Sequence, residues 1–374
     1  MLSLNFTDAL RDLGPNAAFT FANEVRPPDW FLFNRFLPER PEPEYVAESG
    51  NITVRSAMAG LVATDSPYPP TGITQVSTFI QEVAKIANYV TLPERSIRKI
   101  QALLVQKGMN SSLAFIQTEV LNFLEKVLVQ GHLDTFEWLR AQAITSGAIS
   151  WTFNNQTLAV TYGIPSANIL TTRTSTAAWD STASAFWTDV ALLQSALNYN
   201  VEALIVHPNT LTSIINNDVN KIEMISQVDQ GNGTQVYTFR RLIGSLERPD
   251  SDVRRTIQLI AYGLEAEVMD PAGTGADITQ KLPFMPEGKM VAIAGGGRTG
   301  YRVGEGSTDD PYKSMNLGYT HLAPTVEGGA VPGRWAQVFT PEAMPMQLHG
   351  RAVTNGLPVI EVPEKIAIAS SNLS

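Results

Sequence analysis

Leu139-Arg-Ala-Gln-Ala-Ile-Thr-Ser-Gly147, followed at once by Ile149-Ser-Trp-Thr-Phe-Asn-Asn-Gln-Thr-Leu-Ala-Val-Thr-Tyr-Gly163, is the stretch on which the fold class turns. Its first half ends an apolar stripe at helical spacing: Leu113, Ile116, Val120, Leu124 and Val127, then Leu133, Phe136, Leu139, Ala143 and Ile144. Asn110-Ser-Ser offers N-caps, Gly131 interrupts the stripe, and Gly147 stands where a helix C′ residue belongs. The pattern predicts one helix of about ten turns with Gly131 as its kink point. The second half alternates apolar and polar residues on both sides of Asn154-Asn155, which predicts a hairpin.

Downstream, Ala183, Phe186, Val190, Leu193 and Leu197 predict an amphipathic helix over 179–197. Ala203-Leu-Ile-Val206 reads as a buried strand, and His207-Pro208 opens another helix through Ile215. Short strands are expected over 256–294, divided by Asp270-Pro-Ala-Gly-Thr-Gly275. Leu357-Pro-Val-Ile-Glu-Val and Ile366-Ala-Ile-Ala369 are closing strands. With no βαβ alternation, the class is α+β with mixed sheets.

Upstream, residues 1–50 do not look like a self-contained domain. Prolines at 15, 27, 28, 38, 41 and 43 predict extended chain after a short helix near residues 5–13. Trp30, Phe31, Phe33 and Phe36 supply large rings that extended chain cannot bury alone, so they pack on the subunit's own body or on a neighbour. Residues 51–92 read as a long hairpin: Ile52-Thr-Val-Arg and Gly60-Leu-Val-Ala are strand-like, and Asp65-Ser-Pro-Tyr-Pro-Pro-Thr-Gly72 is a turn. Phe79, Val83, Ile86 and Val90 in the return arm also fit helical spacing.

Composition narrows the function. Of the 374 residues 44% are hydrophobic, enough for a sizeable core, while only 17% are charged, so a surface covered by partners is one option. A net charge of −9 argues against a protein that grips nucleic acid through clustered cations. The richest basic run, Arg240, Arg241, Arg248, Arg254 and Arg255, is interleaved with Glu247, Asp250 and Asp252. The absence of cysteine excludes disulfides, thiolate nucleophiles and cysteine–zinc sites. No secretory signal and no apolar stretch of membrane-spanning length is visible.

No catalytic constellation emerges. Ala294-Gly-Gly-Gly-Arg-Thr-Gly300 lacks the ending of a phosphate loop and the spacing of a dinucleotide site. His132, His207, His321 and His349 include no pair at metal-ligand spacing. Asp309-Asp310 with Glu305 is an acidic cluster without the ordered spacing of a calcium loop, and reads as a solvated turn. No catalytic residue, cofactor or metal is therefore expected. The aromatic arm and long hairpin are more informative, because they present apolar area on extensions too thin to hold cores. Trp30, Phe31, Phe33, Phe36 and Tyr68 are accordingly the candidate intersubunit contacts.

The order of these segments resembles the major capsid proteins of lambda-like tailed phages, which share the Hong Kong 97-type capsid fold. Arg35-Phe-Leu-Pro-Glu39 looks like the family's lead-in to its hairpin, and the Leu139–Gly147 run with the hairpin ending Val160-Thr-Tyr-Gly163 resembles the end of its spine helix. Trp179-Asp, the following helix and Leu204-Ile-Val-His-Pro208 resemble the start of its axial domain. Leu282-Pro-Phe-Met-Pro-Glu-Gly-Lys-Met-Val291, preceded by Gly263 to Asp270, is similar to a segment that leads into a strand. Arg334-Trp-Ala-Gln-Val-Phe-Thr, Ala343-Met-Pro-Met and Leu357-Pro-Val-Ile-Glu-Val-Pro363 look like its closing strands. No single motif is diagnostic; the specificity lies in their order, and residues 211–255 and 301–330 have no clear counterpart.

The resemblance implies an N-terminal arm (1–50), an extended loop (51–92), a peripheral domain with a long spine helix (93–179), an axial domain (180–325), and C-terminal strands (326–374) returning to the peripheral domain. It further implies a non-enzymatic subunit forming pentamers and hexamers of an icosahedral head, assembled in the host cytoplasm. Its partners would be itself, with scaffolding, portal and decoration proteins, and double-stranded DNA enclosed without specific binding; no membrane is involved. A nanocompartment shell of the same fold, or a hydrolase using Asp309, Asp310 or Glu305, are the alternatives.

Overall fold

The computed structural model describes residues 26–55, 73–92, 95, 98–99, 128–153, 156–198, 201–220, 222–229, 234–241, 258–269, 278–294, 316–329, 331–339 and 348–373. The helix near 5–13, Gly60-Leu-Val-Ala, the turn with Tyr68, the first turns of the long helix, and Glu305, Asp309 and Asp310 lie outside them.

The arm is not extended throughout. Pro27, Pro28 and Pro38 leave the N–H groups from Phe31 to Leu37 intact, and helix α1 (Leu32–Phe36) forms between them. A three-residue strand β1 (Glu39–Pro41) follows. The hairpin starts earlier than expected, with β2 (Val46–Arg55) antiparallel to β3 (Ile73–Glu82) over ten pairs. After Val83 the chain continues as β4 (Ala84–Leu92). The return arm is therefore strand. Its helical spacing misleads because β4 has apolar residues facing the core, such as Ile86, beside others such as Tyr89 that face outward.

Of the expected long helix the described residues hold α2 (Gln130–Ser146), entered through a wide π-type turn at Leu128 and Val129, next to the expected kink point. It stops at Gly147, whose φ of +67° and N–H bond to the Ala143 carbonyl form the left-handed cap. The hairpin of β5 (Ala148–Phe153) and β6 (Gln156–Thr161) follows, its register pairing Phe153 with Gln156. Helix α3 (Phe186–Ala196) begins later than the stripe suggested, because turns occupy the preceding residues and Ala183 is exposed. Strand β7 (Val201–Val206) leads to α4 (Pro208–Asn216), where the His207 ring accepts the Asn209 N–H as N-cap. Strands β8 (Ile222–Asp229), β9 (Thr234–Arg241), β10 (Gln258–Tyr262), β11 (Glu265–Met269), β12 (Ile278–Pro283) and β13 (Lys289–Ala294) follow. The chain closes with β14 (Gly318–Ala323), β15 (Arg334–Phe339), β16 (Leu348–Ile360) and β17 (Ile366–Ser370).

Two larger sheets organise these elements. In the first, β16 is antiparallel to β4 along one edge and to β14 and then β15 along the other, while β1 adds to β14 in parallel. β15 resumes the line of β14 without loss of register: Ala323 pairs with Asn355 and Arg334 with Thr354. Gly356 in β16 faces α2 so closely that a Cβ would lie 2.8 Å from the Phe136 ring and 2.6 Å from the His321 carbonyl. The second sheet has the order β17-β13-β7-β10-β9-β8. β17 thus lies at one edge of the second sheet, whereas β15 and β16 belong to the first. Ile366, Ala367, Ile368 and Ala369 are all buried, because a core packs on each face of the sheet even at this edge strand.

That second sheet divides two cores by its pleat. Ala203, Ile205, Ile260, Val291, Ile293, Ile366 and Ile368 join the core around α2, whereas Leu204, Val206, Leu259, Met290, Ala292 and Ala367 join the core under α3 and α4. The two-residue alternation explains why Ala203-Leu-Ile-Val206 is apolar without a break.

Candidate intersubunit site

The arm's rings are built into the subunit itself. Phe31, Phe33 and Phe36 are 3%, 0% and 0% exposed. Phe31 meets Phe284 edge-on at 6.0 Å, Phe33 meets Tyr262 edge-on at 5.4 Å, and Tyr262 stacks on Phe284 at 6.0 Å. These three rings are thus not available as intersubunit contacts, which corrects the expectation for them: α1 turns them inward, and the body supplies an aromatic wall for them. Trp30, one residue before the packed run, is 44% exposed and stays a candidate. Tyr68 lies outside the described residues.

Polar bonds complete the docking. The Leu317 N–H donates to the Phe36 carbonyl at 3.0 Å, Thr320 N–H to Pro38 at 2.8 Å, and Glu42 N–H to Leu322 at 2.9 Å. Beneath them lies a buried quartet of charges, Glu39, Glu137, Arg140 and Arg334. Glu137 Oε1 accepts the Phe33 N–H at 2.7 Å and the Tyr262 hydroxyl at 3.0 Å. Arg140 donates Nη1 to Glu137 at 3.3 Å, Nε to Thr320 Oγ1 at 2.7 Å and Nη2 to Glu39 at 3.0 Å. Arg334 also donates Nη2 to Glu39. The quartet sums to zero charge. Burial pushes Glu39 up, but the Arg334 and Arg140 guanidiniums outweigh it and hold the carboxyl below its ordinary value. Burial raises Glu137, opposed incompletely by Arg140, the Phe33 N–H and Tyr262.

Half of this quartet was signalled in the sequence. Glu137 and Arg140 sit among Leu133, Phe136 and Ile144, on the stripe that the helix buries, and charges there need partners. A sealed neutral cluster with every carboxylate engaged has the character of structural glue. Among the described residues, no group of three His, Asp or Glu could hold a metal ion, and no helix is long and apolar enough to cross a membrane. His132 is buried and donates or accepts at 3.1 Å with Asn88; burial, then Arg334, lowers its pKa to about 3. His321 bonds the Glu44 carbonyl at 2.8 Å, and His349 stacks on Tyr89 at 5.2 Å.

Several large apolar side chains remain exposed. Ile80 in β3 is 67% exposed, Tyr89 in β4 59% and Val326, between β14 and β15, 82%. The hairpin's base packs on the first sheet through Ala47, Phe79 and Val83 against Tyr319 and Val359. Ten pairs carry its far end about 30 Å from that base. A two-stranded ribbon of that length is marginal in water without a third surface.

Comparison with known proteins agrees with this layout. Residues 20–304 match the sequence model of the family described as phage major capsid protein E. Among solved structures, one assigned as the capsid protein of a prophage of E. coli CFT073 has a TM-score of 0.58 at 12% identity, covering 96% of this chain and 99% of that one. The satellite phage P4 procapsid, solved with its size determination protein, scores 0.44 at 11% identity over 91% and 95% of the two chains. The SrpI encapsulin of Synechococcus elongatus PCC 7942 scores 0.42 at 10% identity over 92% of this chain and 88% of that one. The first of these three shares the fold of this chain. No curated protein matches by sequence.

Proposed function

Because this chain belongs to the phage major capsid protein E family, and has the Hong Kong 97-type capsid fold, we propose that it is the shell subunit of an icosahedral phage head, assembling into pentamers and hexamers around double-stranded DNA. The observation that carries the proposal is the projecting hairpin: a two-stranded ribbon with Ile80 exposed gains its third surface from a sister copy. Trp30, 44% exposed beside the packed rings, is proposed as a second contact of the same kind. Many modest contacts per subunit then act together. Enclosed DNA is held by confinement, in keeping with the net charge of −9. Scaffolding, portal and decoration proteins are its expected helpers, and the virion its destination after assembly in the host cytoplasm.

Electron microscopy of the purified full-length protein, expressed with its natural assembly helpers, tests this. Closed angular particles containing nuclease-protected DNA are expected. Particles filled with protein cargo would point to a nanocompartment shell, and a uniform field of monomers would overturn the assembly reading.

A further inference from the structure

We propose that Glu39 is the positioning residue of the N-terminal arm: its carboxylate, latched between Arg140 and Arg334, sets the register in which residues 31–41 dock and so fixes where Trp30 is presented on the subunit surface. The apolar anchors alone do not set that register, because aromatic rings tolerate small slides. The backbone pairing is weak too, since β1 has three residues and joins β14 in parallel. Side-chain alternation supplies the missing specificity. In the observed register Glu39 points inward, whereas the Arg40 side chain is 60% exposed and pairs with Glu42. A slip of one residue would exchange the two and press a third guanidinium against Arg140 and Arg334.

Charge balance gives the same answer. Without the arm, Glu137, Arg140 and Arg334 would leave one surplus positive charge in a buried site. With Glu39 in place the four charges cancel and Arg140 has a partner on each side. The body is therefore complementary to an acid at this one position. The acid comes from the arm, while the two cations come from the helix α2 and the strand β15. The latch thus ties three separate stretches of chain to one carboxylate. Its consequence for shell growth rests on the capsid-subunit reading; the latch itself does not.

Hydrogen–deuterium exchange on the unassembled full-length protein tests the latch. Glu39→Gln keeps the shape and removes the charge. Peptides spanning 31–41 should exchange about tenfold faster or more, while peptides from 133–145 stay protected. Glu39→Met combined with Arg334→Met leaves only the neutral Glu137–Arg140 pair, and should bring exchange of 31–41 back to within about threefold of the parent. A merely space-filling role would not show that rescue. Unchanged exchange in Glu39→Gln, or a double variant as labile as the single one, overturns the proposal. Should Glu39→Gln fail to fold, the double variant decides alone: a protected arm supports the latch, a labile one refutes it. Particle counts separate the two readings. A parent protein that assembles beside a Glu39→Gln variant that assembles equally well refutes the positioning role. A parent that never assembles refutes the capsid reading and leaves the exchange result standing.

Discussion

Replacing Phe33 with alanine distinguishes an arm that belongs to its own subunit from one that waits for a neighbour. The Phe33 ring is fully buried, meets Tyr262 edge-on at 5.4 Å, and sits in the core shared with α2. Truncating such a ring removes its transfer free energy and leaves a cavity, together about 3–5 kcal/mol. The aromatic contact accounts for about 1 kcal/mol of that figure. Urea unfolding of the dissociated subunit should show this loss as a lowered midpoint at unchanged slope. Trp30→Ala is the control: with the ring 44% exposed, its loss should change subunit stability by less than about 1 kcal/mol while impairing particle yield. A Phe33→Ala subunit as stable as its parent would refute the claim that the arm's rings are spent inside the chain.

Two further predictions concern the sheet and helix around α2. His132 is held neutral, with a pKa of about 3 against an ordinary value of 6.5, so the unfolded chain binds more protons between those limits. Stability therefore falls as pH drops through that window, by up to about 5 kcal/mol. Urea titrations at neutral pH and near pH 4 should show a smaller loss in His132→Gln than in the parent, and an equal loss would refute the assignment. Gly356→Ala would drive a methyl into the His321 carbonyl and the Phe136 ring, costing about 1–3 kcal/mol or more. Calorimetry should report a lowered Tm, and an unchanged Tm would mean that β16 and α2 are not so closely packed.

Much of the fold was legible because its signals are local. The apolar stripe ending at Gly147, the alternation around Asn154-Asn155 and the His207-Pro208 helix start each depend on neighbours in sequence. The order of those signals carried the family resemblance. The misreadings have non-local causes. Phe31 and Phe33 looked stranded on an extended chain, because Phe284 and Tyr262, the rings that receive them, lie more than two hundred residues away. The sheet that β17 joins was not legible for a similar reason: its two apolar faces state that it is covered twice, but not by which elements. The charge quartet was half legible. Glu137 and Arg140 on a buried stripe advertise an ionic cluster, whereas Glu39 and Arg334 become its members only when β1 and β15 are brought to α2.

Sedimentation velocity of the intact full-length protein over a range of concentrations, with its natural assembly helpers present, tests the central claim most directly. Hairpins completed by sister copies, with Trp30 as a second contact, predict that monomer gives way, above a threshold, to a sharp fast boundary of closed shells. A single slow boundary at the mass of one chain, unchanged to the highest concentration, would contradict it.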